Sequence, residues 1–274
     1  MKLPLYWVDA FTDQRFHGNP AAVVPLDRWP PDATMQQIAF ENGLAETAFF
    51  VPTAPAHPTA PARFHLRWFT PTVEVDLCGH ATLAAGFVVF TQLGRAGDEI
   101  IFDSRSGPLA VTRRGDRFEL DFPSTPPAPE PDSAAAVTAA LGATVSWVGR
   151  TKFDVLALLP DAAALRAVRP DFARVQALGG RGLIVTAPGD DCDFVSRFFA
   201  PQSGIAEDPV TGSTHSALVP FWSPRLGKTQ LHARQISARS GELICTFVPG
   251  TPPSPDRVRI AGQAVLYLHG ELEA

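Results

Sequence analysis

Cysteine is scarce in this chain: 3 in 274 residues, at Cys78, Cys192 and Cys245. An odd, widely spaced set with no metal-like pairing fits neither a disulfide framework nor a zinc ribbon, and it points to a reducing compartment. Charge is also thin, 19% of residues, and the net charge of −5 is spread without any basic block. Phosphate-backbone binding needs concentrated Lys and Arg, so no nucleic-acid partner is expected. No apolar run approaches the ~20 residues that span a bilayer, and Asp9 interrupts the N-terminal apolar stretch too early for a secretory leader. The expectation is a soluble cytoplasmic protein with no membrane partner. Nucleotide-binding glycine loops are missing. His80, His215, His232 and His269 have no zinc spacing, so no metal is expected. Ser213, His215 and Asp208 invite comparison with a hydrolase triad, yet no GxSxG elbow exists.

What is present is a well-populated core, 45% hydrophobic, and a chain that repeats itself once. Arg67-Trp-Phe-Thr-Pro71 answers Arg197-Phe-Phe-Ala-Pro201, Cys78-Gly-His-Ala-Thr82 answers Thr211-Gly-Ser-Thr-His215, and Arg105-Ser-Gly-Pro-Leu109 answers Arg239-Ser-Gly-Glu-Leu243. Matched landmarks in the same order predict two lobes of related design. Between them Pro123 to Pro131 holds five prolines in nine positions, an extended connector that can be neither helix nor central strand. The expected division is residues 1–122, a linker at 123–134 and a second lobe at 135–274. A second Pro-rich piece, Pro52 to Pro61, reads as a loop within the first lobe.

Strand patterns dominate both lobes, including Leu5–Ala10, Ala48–Val51 and His65–Phe69 in the first. In the second they include Gly182–Thr186, Gln235–Ala238 and Ala264–Leu268. Short amphipathic helices are expected at Thr34–Phe40 and Ala162–Val168. Two further helices, Gly79–Leu93 and Gly212–Trp222, are apolar nearly all round and must be surrounded by protein. The fold class is therefore α+β: two pseudo-repeated lobes, each a curled, mostly antiparallel sheet or barrel around a central helix. Each central helix starts with small residues and free amides, ready to hold an anion. If the lobes face each other, both helix starts converge on one carboxylate-sized cleft.

Glu46 lies between Gly43-Leu-Ala45 and Thr47-Ala-Phe-Phe-Val51. Two readings stand on the residues alone: a solvated strand-edge Glu, or a desolvated carboxyl with a raised pKa that can hold a proton and return it. Asp208 precedes Pro209 and reads as a turn or cap acid, or as a substrate ligand. Glu207 reads as structural. A lone His on an apolar helix is more often a core residue than a catalyst, but His80 stands at the helix start, where the dipole lowers its pKa. Gly79 and Gly212 permit close backbone approach, although packing glycines look the same. Cys78 reads as a small buried apolar residue.

Asn42-Gly-Leu-Ala-Glu-Thr47, Cys78-Gly-His-Ala-Thr82 and Glu207-Asp-Pro-Val-Thr-Gly-Ser213 resemble the three signature stretches of the PhzF-like family of phenazine-biosynthesis isomerases. Asp9-Ala-Phe-Thr…Gly18-Asn-Pro20 is similar as well, so the resemblance runs from about Tyr6 to Leu268. It implies the diaminopimelate-epimerase fold and no cofactor. The matching Glu is the family's acid/base, moving a proton between carbons of a cyclic substrate; Asp208 and His80 match residues that orient substrate or assist the transfer. Gly79, Gly212, Ser213 and Thr214 match positions that hold the substrate carboxylate. A homodimer is implied too. The residue before the Glu is often Ser in the phenazine enzymes and here is Ala45, so the substrate can differ from the phenazine precursor, trans-2,3-dihydro-3-hydroxyanthranilate. The expected function is a cofactor-independent isomerase acting on a small carboxylate-bearing molecule. The rivals are an amino-acid racemase or epimerase, and a non-catalytic binding protein that keeps the fold. A two-thiol racemase needs a cysteine near Asp208 to Thr214, and none is there.

Overall fold

The structure, a computed structural model, describes residues 1–54 and 60–274. The chain divides into two compact units, Met1–Asp121 with Ala261–Ala274, and Phe122–Ile260. Among the described residues no helix is long and apolar enough to cross a membrane.

In the first unit β1 (Lys2–Ala10) lies antiparallel to β2 (Asn19–Pro25). Helix α1 (Asp32–Asn42) crosses over to β3 (Glu46–Thr53), which is parallel to β2. Next, β4 (Ala62–Phe69) returns antiparallel and pairs briefly with β5 (Glu74–Val75). Helix α2 (Gly79–Phe87), prolonged by a π-helical turn at Val88–Gln92, crosses over to β6 (Glu99–Ser104), parallel to β4. The hairpin neighbours β7 (Gly107–Arg114) and β8 (Arg117–Pro123) follow. Helices stand where strand pairs are parallel because a tight turn cannot join such strands. Every residue of α2 from Gly79 to Gly86 is buried, and the helix packs on β1, β2, β3 and β7, so the sheet curls about it. Gly86 is required for that approach, since a Cβ there would lie 2.7 Å from Val111 Cγ1.

The second unit repeats the plan. A two-residue strand β9 (Ala128–Pro129) and helix α3 (Ala134–Leu141) precede β10 (Trp147–Arg150), which pairs with β9 and with β11 (Val155–Leu158). Helices α4 (Ala162–Ala167) and α5 (Phe172–Ala177) cross over to the parallel strand β12 (Leu183–Pro188). Both open on an aspartate, Asp161 and Asp171, whose carboxylate accepts first-turn amides. Antiparallel β13 (Phe194–Ala200) has a short partner, β14 (Ile205–Asp208). A 3-10 turn at Gly212–Thr214 then feeds α6 (His215–Leu226), which crosses to β15 (Gln230–Gln235), parallel to β13. β16 (Gly241–Val248), antiparallel to β15, and then β17 (Arg257–Gly262) lead to β18 (Ala264–Glu273), which pairs along β1 from Ala10 back to Lys2.

The α+β class and the duplication stand: each unit carries the same alternation of antiparallel pairs and helical crossovers, mostly antiparallel and mixed at the crossovers. Neither run of strand pairs closes on itself among the described residues, so the sheets are curled rather than barrels. The sequence reading put everything after residue 135 in the second lobe, whereas β18 belongs with the first unit. Backbone pairing to β1 holds it there. The strand read at Gln235–Ala238 lies earlier, at Gln230–Gln235. Between the end of β8 at Pro123 and the start of α3 at Ala134, the Pro-rich connector holds a two-residue strand and one 3-10 turn. Of Pro52 to Pro61, β3 claims residues through Thr53, and residues 55–59 lie outside the described residues.

One ion pair is made twice. Arg67 donates from Nε and Nη2 to Glu74 at 2.7 and 2.8 Å and lies over Phe69. Arg197 does the same to Glu207 at 2.7 and 2.8 Å and lies over Phe199. Each arginine also reaches a crossover helix: Arg67 donates to Asp32 at the start of α1, and Arg197 to the Leu165 and Val168 carbonyls at the end of α4. The structural reading of Glu207 is the one these contacts bear out.

Arg67 and Glu74 are only 12% and 13% exposed, and Arg105 also reaches Glu74 Oε2 at 2.7 Å, so removing Arg67 leaves the carboxylate one cation in place of two. Arg67→Ala is expected to cost about 1–3 kcal/mol in urea unfolding at pH 7, because Arg105 still pairs with Glu74. Hydrogen bonding from Arg67 holds the Glu74 carboxyl below its usual range. That contribution is complete above the unfolded carboxyl value of about 4.3 and is lost as pH falls through the lower folded value. The gap between wild type and Arg67→Ala should therefore shrink in acid; a gap independent of pH would contradict the assignment.

Candidate active site

The first unit brings together four side chains from three elements. Glu46 opens β3, opposite Ala21 of β2. Asn19 opens β2. Cys78 is the residue before α2, and His80 is the second residue of that helix. The loop between β1 and β2 sets Asn19: Asp9 Oδ2 accepts the Phe16 amide at 2.8 Å, and Gly18, at φ +64°, passes so close to the Ala10 carbonyl oxygen that a Cβ would overlap it. Thr47, beside Glu46, accepts a hydrogen bond from Asn42 Nδ2 at 3.1 Å, which ties the end of α1 to the start of β3.

His80 is the hub. Asn19 Nδ2 lies 3.2 Å from its Nδ1, and Cys78 Sγ lies 3.5 Å from the same nitrogen. An amide N–H donates, so Nδ1 accepts and the ring proton sits on Nε2. Nε2 faces Glu46 Oε2 at 3.3 Å, slightly beyond the usual range of an N–H···O hydrogen bond. Burial pushes the His80 pKa down to about 3, so the ring is neutral at physiological pH. Beside an imidazolium, Glu46 would be held as a weakly basic anion. A neutral ring exerts no such hold on the carboxylate. The Glu46 side chain is 14% exposed, largely enclosed yet open on one side. Amides of the first turn of α2 have no acceptor inside the helix and face the same end.

In the second unit Asp208 closes β14, and its Oδ2 accepts the Thr211 hydroxyl proton. Buried Gln235 braces this turn: its Oε1 accepts the Thr211 amide at 2.9 Å, and its Nε2 donates to the Asp208 carbonyl at 2.8 Å. Ser213 Oγ accepts from Arg181 Nη1 at 2.8 Å, while Arg181 Nε and Nη2 grip Asp154 at 3.0 and 2.6 Å. The Thr214 hydroxyl is buried and donates to the Thr211 carbonyl at 2.8 Å, so only its amide remains for a ligand. His215 also donates through Nδ1 to the Thr211 carbonyl, at 2.9 Å, and burial pushes its pKa down to about 4. With Asp208 bonded to Thr211 and His215 to a carbonyl, these residues form no hydrolase triad.

The structure thus gathers Glu46, His80 and Gly79 in the first unit, and Asp208, Gly212, Ser213 and Thr214 in the second. Sequence reasoning missed Asn19, Arg181, Asp154 and Gln235. Gly18-Asn-Pro20 had been noticed without a role, and Arg181 carries no signal beyond its place after two glycines. The clustering of Cys78 with Glu46 was also missed, since 32 positions separate them along the chain.

A family model described as phenazine biosynthesis-like protein matches residues 8–270. An uncharacterized isomerase of Pseudomonas aeruginosa is 47% identical over 274 residues, covering 99% of each chain. The crystal structure of a PhzF-family phenazine biosynthesis protein from Enterococcus faecalis superposes with a TM-score of 0.92 at 44% identity, covering 100% of both chains. A hydroxyproline epimerase from Agrobacterium vitis, solved with bound trans-4-hydroxy-L-proline, matches with a TM-score of 0.61 at 13% identity over 99% of this chain and 92% of its own. That last likeness shows a shared fold.

Both buried rings should stay neutral where ordinary histidines titrate. Nitrogen-detected NMR of His80 and His215 is expected to show no protonation between pH 8 and 5. The unfolded chain takes up those protons near pH 6.5, so each ring lowers stability as pH falls below that value. A midpoint near 6.5 for His80 in the folded protein would contradict the reading.

Proposed function

The chain belongs to the PhzC-PhzF, phenazine biosynthesis-like family and is an isomerase, and we propose that it moves one proton on a small cyclic carboxylate with Glu46 as the sole acid/base. The observation that carries this reading is the enclosed Glu46 carboxylate 3.3 Å from a neutral imidazole. In the ionised form Glu46 takes a proton from a substrate carbon. As the acid it returns that proton to another carbon of the same ring, so no cofactor is consumed. His80 donates through Nε2–H and stabilises negative charge on substrate or on Glu46 as it develops. Gly79, Gly212, Ser213 and Thr214 are assigned to the substrate carboxylate through amides and the Ser213 hydroxyl, and Asp208 to its amino or hydroxyl group. The substrate class is that of trans-2,3-dihydro-3-hydroxyanthranilate. Ala45 lacks the hydroxyl common before the acid/base in the phenazine enzymes, which favours a related compound with one fewer polar contact.

An epimerase of amino acids is the second reading, favoured by Cys78 at 3.5 Å from His80. It is the weaker one. A two-base thiol mechanism needs a second cysteine where the repeat places Thr211, whose hydroxyl is already given to Asp208.

Glu46→Gln keeps shape and loses the exchangeable proton. Deuterium incorporation at substrate carbon, followed by proton NMR, is expected to fall by about 100-fold or more. Exchange at the wild-type rate would remove Glu46 from the chemistry. Scrambling of an amino-acid stereocentre, abolished by alkylating Cys78, would favour the epimerase. Tight anion binding by wild type without exchange on any candidate would favour a binding protein.

A further inference from the structure

The corner that holds Glu46 also has the donor set of a metal site. A carboxylate oxygen of Glu46, Cys78 Sγ and a ring nitrogen of His80 all lie within 4.8 Å of one another, with Cys78 and His80 buried. We infer that these three side chains bind one Zn2+, which occupies Glu46 and inhibits the enzyme. The inhibition rests on the proton-transfer role of Glu46; the binding does not.

Geometry and charge both favour zinc. Bonds of about 2.0–2.3 Å at tetrahedral angles set neighbouring ligand atoms about 3.3–3.7 Å apart. His80 Nε2 already stands 3.3 Å from Glu46 Oε2, and His80 Nδ1 3.5 Å from Cys78 Sγ. These are opposite nitrogens of one ring, so one partner must move, or the ring must turn, before all three atoms reach a single ion. A thiolate and an imidazole select zinc over magnesium or calcium, which prefer all-oxygen shells. Thiolate and carboxylate together cancel the dication, so the buried complex carries no net charge. A thiol that ligates the ion gives its proton up to solvent as the metal binds.

Asn19 completes the arrangement. When zinc takes Nε2, the proton moves to Nδ1, and the Asn19 amide can turn to accept it through Oδ1, fixing the ring. Three protein ligands leave a fourth position for water or a carboxylate oxygen of a ligand. Zinc and substrate then compete for Glu46, and the isomerase is fully active only when zinc is withheld.

The test uses the full chain, stripped with a chelator and titrated without substrate. Zn2+ against a competing indicator dye should give one ion per chain, and Co2+ in its place should show a thiolate-to-cobalt charge-transfer absorption. Cys78→Ser should weaken zinc affinity about tenfold or more, with Cys192→Ser unchanged as the control. Added Zn2+ should stop deuterium exchange, and chelator should restore it. Cys78→Ser binding zinc as tightly as wild type would overturn the site. So would a wild-type cobalt complex without the thiolate band, which decides the matter even if Cys78→Ser fails to fold. Zinc bound at this site by an enzyme with no exchange activity would fault the proton-transfer account and leave the site intact.

Discussion

The site in the first unit depends on keeping one ring uncharged. His80 is enclosed by β2, the start of β3 and its own helix, and water does not reach it to stabilise an imidazolium. Its proton therefore stays on Nε2, set there by the Asn19 amide on the other nitrogen. That single fact decides what Glu46 can do. Next to a cation, the carboxylate would have its charge neutralised and its basicity spent. In the proposed reaction the carboxylate, next to a neutral donor, acts first as base and then as acid without leaving a buried positive charge behind. The proposal leaves the positive potential for an anionic substrate to backbone amides, whose charge does not titrate.

The two units show which parts of the repeat serve the fold and which serve the site. The Arg–Glu clamp over a phenylalanine survives in both, Arg67 with Glu74 and Arg197 with Glu207, because each ties a crossover helix to its sheet. The glycine at the core-helix start survives as Gly79 and Gly212. Around it the side chains diverge. In the short pairings beside the clamps, Val75 lies opposite Trp68 and Asp208 opposite Phe198. Cys78 answers to Thr211 and His80 to Ser213. One copy thus holds a thiol and an imidazole, the other a carboxylate and hydroxyls. A symmetric two-thiol reaction has no place in such a chain.

Legibility in the sequence followed burial. The core helices were readable because they are apolar on every face, and the duplication because Arg, Gly and Pro landmarks recur in order. β18 was cut short at Leu268, since its tail, His-Gly-Glu-Leu-Glu273, is exposed except at Leu272 and is held by backbone bonds to β1. β15 was misplaced because its third inward residue is Gln235, a polar side chain buried to brace Asp208 and Thr211. Glu46 and His80 were visible through their motifs. Their neighbours Asn19 and Cys78 became partners only through folding, because contacts across 61 and 32 positions from His80 and Glu46 respectively, closed by strand pairing, leave no periodic trace. The linker boundary near residue 122 was legible for a simpler reason: proline removes the amide that a strand or helix requires.

The most direct check is a crystal structure with a ring acid bound, beginning with 3-hydroxyanthranilate, a stable aromatic acid of the proposed substrate class. The account predicts a ring carbon about 3–3.5 Å from a Glu46 carboxylate oxygen, with the ligand carboxylate on amides at the start of α2. A ligand seated away from Glu46, with that side chain turned to open solvent, would contradict it.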